Sequence, residues 1–137
     1  MKDKISALKD DILVRIDKIL IPVTIVAVII AVITNVFSFG TVQGTSMIPT
    51  LNDGDMIISI KHVTPKDGDI IVIDTSKLPD YKNNSATIIK RYYADKSTDG
   101  YYVLGDNSQV SYDSRYFGEV PKEAVKCVTL FKFRFLR

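Results

Sequence analysis

ILIPVTIVAVIIAVITNVFSF, residues 19–39, carries no ionisable side chain. At about 1.5 Å rise per residue a helix of this length covers roughly 30 Å, the thickness of a bilayer's hydrocarbon core, so the run reads as one transmembrane helix. A cleavable signal sequence is the rival reading, since Ser38-Phe39-Gly40 offers small residues around a cut. Its apolar core, however, is longer than the ~7–15 residues usual in such segments. A buried core helix fits less well, because the rest of the chain is too small to enclose a helix apolar on every face.

The run divides the chain into three. Residues 1–18 carry Lys2, Lys4, Lys9, Arg15 and Lys18 against four aspartates, and charge then vanishes until Asp53. Ile5, Leu8, Ile12, Ile16 and Ile19 recur at spacings of three and four, which predicts an amphipathic helix leading into the span. All five basic residues near the span precede it and none follows until Lys61, so the positive-inside rule puts the N-terminus in the cytoplasm and residues 40–137 outside it.

Beyond Gly40 the periodicity becomes that of strands. Short apolar runs at Thr41 to Gly44, Asp55 to Lys61, Asp69 to Asp74, Ala86 to Tyr93, Tyr101 to Leu104 and Val125 to Phe135 are separated by turn sequences such as Asn52-Asp53-Gly54, Lys66-Asp67-Gly68 and Asp99-Gly100. The expectation is a mainly β fold: a compact β catalytic domain preceded by one N-terminal transmembrane α-helix. In the last run Phe131, Phe133 and Phe135 alternate with Lys132 and Arg134, so one face is apolar. That row is read as core, with a membrane-facing surface as the alternative.

Composition narrows the chemistry. At 137 residues the chain holds one domain and an accessory segment, and a net charge of +2 gives no reason to expect a nucleic-acid partner. One cysteine, Cys127, and one histidine, His62, cannot form an internal disulfide or a structural zinc site, and no metal or cofactor is expected. Oligomeric state is not legible.

Three polar segments remain. Gly44-Thr45-Ser46-Met47-Ile48-Pro49-Thr50-Leu51 begins a few residues after the span. A serine there is either a turn residue or a nucleophile, and a nucleophile needs a base and oxyanion donors. His62, beside Lys61 and a Thr64-Pro65 turn, reads as a solvated strand end. Lys90 lies between Ile88-Ile89 and Tyr92-Tyr93. Burial there would lower its pKa by desolvation and free it to act as a base, whereas a surface lysine would snorkel into water. The third segment, Gly105 to Gly118, is either a long capped loop or a buttress in which Asp106, Asp113 and Arg115 form buried ion pairs and Ser111 bonds a neutral lysine.

Together these segments resemble the bacterial type I signal peptidases, membrane-bound serine–lysine endopeptidases that remove signal peptides from exported preproteins. Ser46-Met47-x-Pro49-Thr50-Leu51 is similar to the family's nucleophile box, Lys90-Arg91 to its base box, and Gly105-Asp106-Asn107-Ser108 through Ser111-x-Asp113-Ser114-Arg115-x-Phe117-Gly118 to its last box. The resemblance implies Ser46 as nucleophile, Lys90 as general base, Ser111 orienting Lys90, and Asp113, Arg115 and Asp106 as support. Gly44, Thr45, Met47 and Pro49 are the implied substrate-binding and oxyanion positions. The substrate would enter extended, pairing with the backbone near Thr41 to Gly44 and with the strand leading into Lys90. Two departures stand out. A Gly-x-Pro-Gly-Asp segment usual after the base box is replaced by Tyr92-Tyr93-Ala94-Asp95-Lys96, and Gly44 stands where some relatives carry an oxyanion serine. The alternatives are a catalytically silent, membrane-anchored β module and a peptidase dedicated to pilin or conjugation substrates.

Overall fold

The computed structural model describes residues 2–79, 81 and 87–134. It comprises two units, residues 1–35 and 36–137.

The first unit is essentially one helix. α1 runs from Lys2 to Val36 without a break, passing through Pro22. Its Arg15–Val36 stretch, 22 residues long, is apolar and long enough to cross a membrane. Thr24 and Thr34 return their hydroxyls to carbonyls one turn back, and the Asn35 amide donates to Ala31 O at 2.7 Å, so these polar side chains are satisfied within the helix. The helix is three residues shorter than the apolar run suggests. Phe37, Ser38 and Phe39 open strand β1 (Phe37–Thr41) instead, because their backbone groups pair with β2 (Met56–Lys61), Phe37 opposite Ile60 and Phe39 opposite Ile58.

The second unit is a six-stranded antiparallel sheet completed by β3 (Ile70–Asp74), β4 (Thr87–Tyr92), β5 (Val103–Leu104) and β6 (Val125–Phe133), in the order β1-β2-β6-β3-β4-β5. A single helical turn, α2 (Ser114–Phe117), stands between β5 and β6. Five of the six strand expectations hold in kind and differ at their ends; the strand expected over Thr41 to Gly44 is incorrect, because pairing with β2 places β1 at Phe37–Thr41 and Val42 to Gly44 already belong to the loop that follows. The run from Tyr101 shrinks to a two-residue strand plus a bridge between Tyr101 and Val120, and Ala86 and Phe135 lie outside the described residues.

β3 explains why the domain can be small and still have a core. Its run Ile70-Ile71-Val72-Ile73 is apolar at every position, as a strand covered on both faces must be. Ile71 and Ile73, fully buried, join Leu78, Val103, Val120 and Val128 in one cluster; Ile70 and Val72 pack against a second, of Val42, Met47, Leu51 and Ile57. Met47 and Leu51 belong to the loop after β1, and each contributes about 1.5–3 kcal/mol of apolar burial that holds that loop on the sheet.

β6 carries an extra residue at two places. Its register shifts against β2 between Ile58 and Ser59, leaving Leu130 without a partner, and against β3 between Val72 and Ile73, leaving Lys126 without one. Such bulges bend a strand and raise its twist. Past Leu130 the strand leaves the core: Phe131 is 62% exposed and Phe133 50%. The reading of the phenylalanine row as core is therefore incorrect for these two. Alternation tells which residues share a face but not whether anything covers it, and among the described residues nothing does. Phe39 and Phe131 flank Ile58 in the same register row, so the exposed apolar surface runs across three strands.

Candidate active site

The chain leaves β1 through Gly44, whose φ of +88° is a conformation that suits glycine, and enters a tight loop. Leu51 N–H donates to Met47 O at 2.8 Å and Ile48 N–H to Thr45 O at 3.3 Å, closing two turns around Ser46. Met47 points into the core and Ser46 is left half-buried beside an open groove.

Lys90 enters the same groove from β4. It is 4% exposed, and its Nζ lies 2.9 Å from Ser46 Oγ. Burial dominates its titration and pushes the amine below the ordinary lysine value; the Asp113 carboxylate opposes that shift and the Arg115 charge adds to it. A lysine so placed gives up its proton more readily than one in water, and its lone pair then faces the serine hydroxyl.

The loop from Gly105 to Ser114 braces this pair. Asp113 is completely buried and accepts from Arg115 Nε and Nη2, each at 2.8 Å, and from the Gly105 amide at 2.9 Å. Burial alone would raise its pKa, but Arg115 and the Gly105 amide outweigh burial and hold the carboxyl below the ordinary carboxylate value. Asp106 belongs to a different pair. Arg91, next to the lysine on β4, grips both its oxygens at 2.8 and 2.7 Å, donates to Gly68 O at 2.7 Å, and reaches Thr50 Oγ1 at 3.2 Å. The expected network is thus two separate bidentate pairs, one behind each side of the site.

Ser111 Oγ is buried with no hydrogen-bond partner among the described residues, and Lys90 Nζ bonds Ser46. An unmet buried hydroxyl costs about 1–3 kcal/mol, so Ser111 is poised to accept or donate when groups in the site rearrange. Of the implied oxyanion and substrate positions, Gly44 has its amide taken by Asp53 Oδ1 at 2.8 Å, which removes it from the pool of oxyanion donors. Thr45 and Met47 line the groove; Pro49 lines a separate hollow with Arg91 and Asp106. His62 is exposed at the end of β2, with φ of +59°.

Two contributors were not singled out from sequence. Asn107 holds the loop that carries Ser46 by two bonds, N–H to Ser46 O at 2.9 Å and Nδ2 to Thr45 O at 3.1 Å. Gly105 is glycine for want of space: a Cβ there would sit 2.1 Å from Ser111 Oγ and 2.6 Å from Ser46 O. Their position in the Gly105-Asp106-Asn107-Ser108 run was the available signal.

The groove is bounded by Gly40 and Thr41 on β1 and by Thr87 to Ile89 on β4. Both stretches have an unpaired edge among the described residues, since β1 ends the sheet and β5 pairs only with Arg91 and Tyr92. Exposed strand edges are templates for an extended peptide. A β domain that sets a half-buried serine hydroxyl 2.9 Å from a buried lysine amine, beside such a groove, has the arrangement of groups that a serine peptidase uses.

The family model described as signal peptidase, peptidase S26, matches residues 15–94 and 96–134, which together are most of the chain. The chain belongs to that family, whose members act on preproteins, and its apolar Arg15–Val36 helix fits the membrane attachment of signal peptidases. No curated protein matches the chain.

Proposed function

We propose that the protein is a membrane-anchored endopeptidase that removes N-terminal signal peptides from exported preproteins with Ser46 as nucleophile and Lys90 as general base. The observation that carries this reading is the 2.9 Å approach of a buried Lys90 amine to Ser46 Oγ. Neutral Lys90 takes the hydroxyl proton as Ser46 Oγ attacks the scissile carbonyl. The tetrahedral adduct collapses to an acyl-enzyme, with the proton passed to the leaving amine, and water, deprotonated by Lys90 in turn, releases the signal peptide's carboxylate. The oxyanion is assigned to backbone donors including the Ser46 N–H. Ser111 aligns the neutral amine during this cycle, and Asp113 with Arg115 keeps the loop in place.

The substrate lies extended between the edges of β1 and β4. Single-pass anchoring with a cytoplasmic N-terminus rests on the five basic residues ahead of the span, and the exposed Phe39, Phe131 and Phe133 support contact of the catalytic domain with lipid. Orientation is tested by adding protease to intact spheroplasts: digestion of the domain is expected, and protection until lysis overturns the assignment. For the chemistry, Ser46→Ala and Lys90→Ala should each abolish cleavage of a labelled preprotein in detergent while the domain stays folded, because nucleophile and base act as one unit. Cleavage by Ser46→Ala at the wild-type rate would sink the assignment.

A further inference from the structure

The far end of β6 contributes nothing to either apolar cluster, yet it is held in place by side chains. From Leu130 onward every described residue is exposed, and the strand continues past the core paired only with β2, Phe131 opposite Ile58 and Phe133 opposite Met56. Its apolar side chains, Phe131 and Phe133, are open, while Lys132 and Arg134 turn toward the outgoing side of the loop that carries Ser46. Lys132 Nζ donates to Thr50 O, and Arg134 Nε donates to Asp55 Oδ1 at 2.8 Å.

Asp55 is the point where that loop is tied shut. It is 2% exposed, and its second carboxylate oxygen accepts from Asn52 N at 2.9 Å, on the outgoing side of the loop. On the incoming side its carbonyl accepts from Val42 N at 2.8 Å, the neighbouring Gly54 N donates to Val42 O at 2.9 Å, and Asp53 holds the Gly44 amide. Thr50 also accepts from Arg91, the residue after Lys90, through its hydroxyl at 3.2 Å. The loop that presents Ser46 therefore hangs between two sets of cations. Arg91 stands on β4 next to Lys90, whereas Lys132 stands on β6 and Arg134 just past its end.

We infer that Lys132 and Arg134 are positioning residues for the proteolytic reaction: they form a brace that fixes the Thr50–Asp55 side of the nucleophile loop and so sets the distance from Ser46 to Lys90. The inference rests on the Ser46–Lys90 reading given above. A 2.9 Å contact between two side chains on different elements is lost when one backbone drifts by about 1 Å, and misplacement on that scale is costly to catalysis. Loosening of the loop would also admit water to the Lys90 amine and weaken the desolvation that lowers its pKa.

The test uses the full chain in detergent. In Lys132→Ala/Arg134→Ala, kcat on a signal-peptide substrate should fall about tenfold with KM within about twofold, since the groove walls on β1 and β4 are untouched. The pH midpoint for acetylation of Lys90 by acetic anhydride, read by peptide mass spectrometry without substrate, should move up toward the free-lysine value. Lys132→Arg/Arg134→Lys keeps both cationic donors and should retain most of kcat and the wild-type midpoint. Should the double alanine variant fail to fold, Arg134→Ala alone decides by the same two readouts, because that side chain is 57% exposed. A lower melting temperature with kcat and midpoint unchanged overturns the brace, as does a conservative variant as impaired as the alanine one. If the wild type cuts no signal peptide, the proposed function falls, while the Lys90 midpoint still decides the brace.

Discussion

Gly105→Ala probes the site with the smallest possible addition. The new methyl would lie 2.1 Å from Ser111 Oγ, 2.5 Å from Ser111 Cβ and 2.6 Å from Ser46 O, where ordinary contacts begin near 3.4 Å. Relief requires Ser111, Ser46 or the Gly105 backbone to move by about 1 Å, on the scale that costs roughly 100-fold in rate when reacting groups are displaced. None of the three can yield freely. Ser111 is buried, Ser46 O is bonded to Asn107 N at 2.9 Å, and the Gly105 amide is bonded to Asp113 at 2.9 Å. Overpacking of this kind costs about 1–3 kcal/mol, which in a domain of some 100 residues lowers Tm by about 4–8 °C per kcal/mol. We expect kcat on a labelled signal-peptide substrate to drop about 100-fold, with a moderate fall in Tm by circular dichroism. A variant within threefold of wild-type kcat and unchanged in Tm would refute the claim that this glycine keeps Ser46 and Ser111 in place.

Activity should rise along an acidic limb whose midpoint lies below the ~10.4 of free lysine, because Lys90 must be neutral and its burial favours the neutral form; a flat profile, or an active Lys90→Arg enzyme, contradicts this. Arg115→Met should move that limb to higher pH, since it removes a charge that disfavours the Lys90 ammonium and unmasks the Asp113 carboxylate that favours it; a limb that stays put or moves down refutes the coupling. Acid should destabilise the domain. Asp106 and Asp113 have folded pKa values below their unfolded ones, so their contribution is complete above about pH 4 and is lost as pH falls through the folded values. Tm measured from pH 6 to pH 2 should therefore decline below about pH 4, and a constant Tm across that range argues against both pairs.

Residue by residue Ser46 and Lys90 stayed open, the one between turn residue and nucleophile, the other between a buried base and a snorkelling surface lysine, and it was the resemblance of three segments taken together that paired them. The lysine between Ile88-Ile89 and Tyr92-Tyr93 is buried in the structure. The β class followed directly from strand-length apolar runs and turn residues. What stayed hidden depends on which segments meet. Arg91 reads as an ordinary strand cation until Asp106, Gly68 and Thr50 are seen around it, and Asp55 as the opening residue of a strand until Arg134 arrives from 79 residues away. The phenylalanine row failed for a related reason. Period-two alternation is local, but whether a face is covered is decided by elements elsewhere, and the bulge at Leu130 carries those residues beyond the core. Where α1 ends was likewise set by pairing with β2, which hydropathy does not register.

The strand order has a consequence for the timing of synthesis. β6, among the last residues of this sequence, is inserted between β2 and β3, so in the sheet the hairpin flanking Ser46 and the strands around Lys90 are joined only through it. Contacts between distant parts of a chain form late, after the loops between them have closed. In a chain emerging from the ribosome the two halves of the sheet would thus stay unjoined until residues 125–133 arrive, with only loop and side-chain contacts such as Arg91 to Thr50 available to link them before then. The walls of the groove on β1 and β4 would be set at their final spacing only once β6 is in place between them.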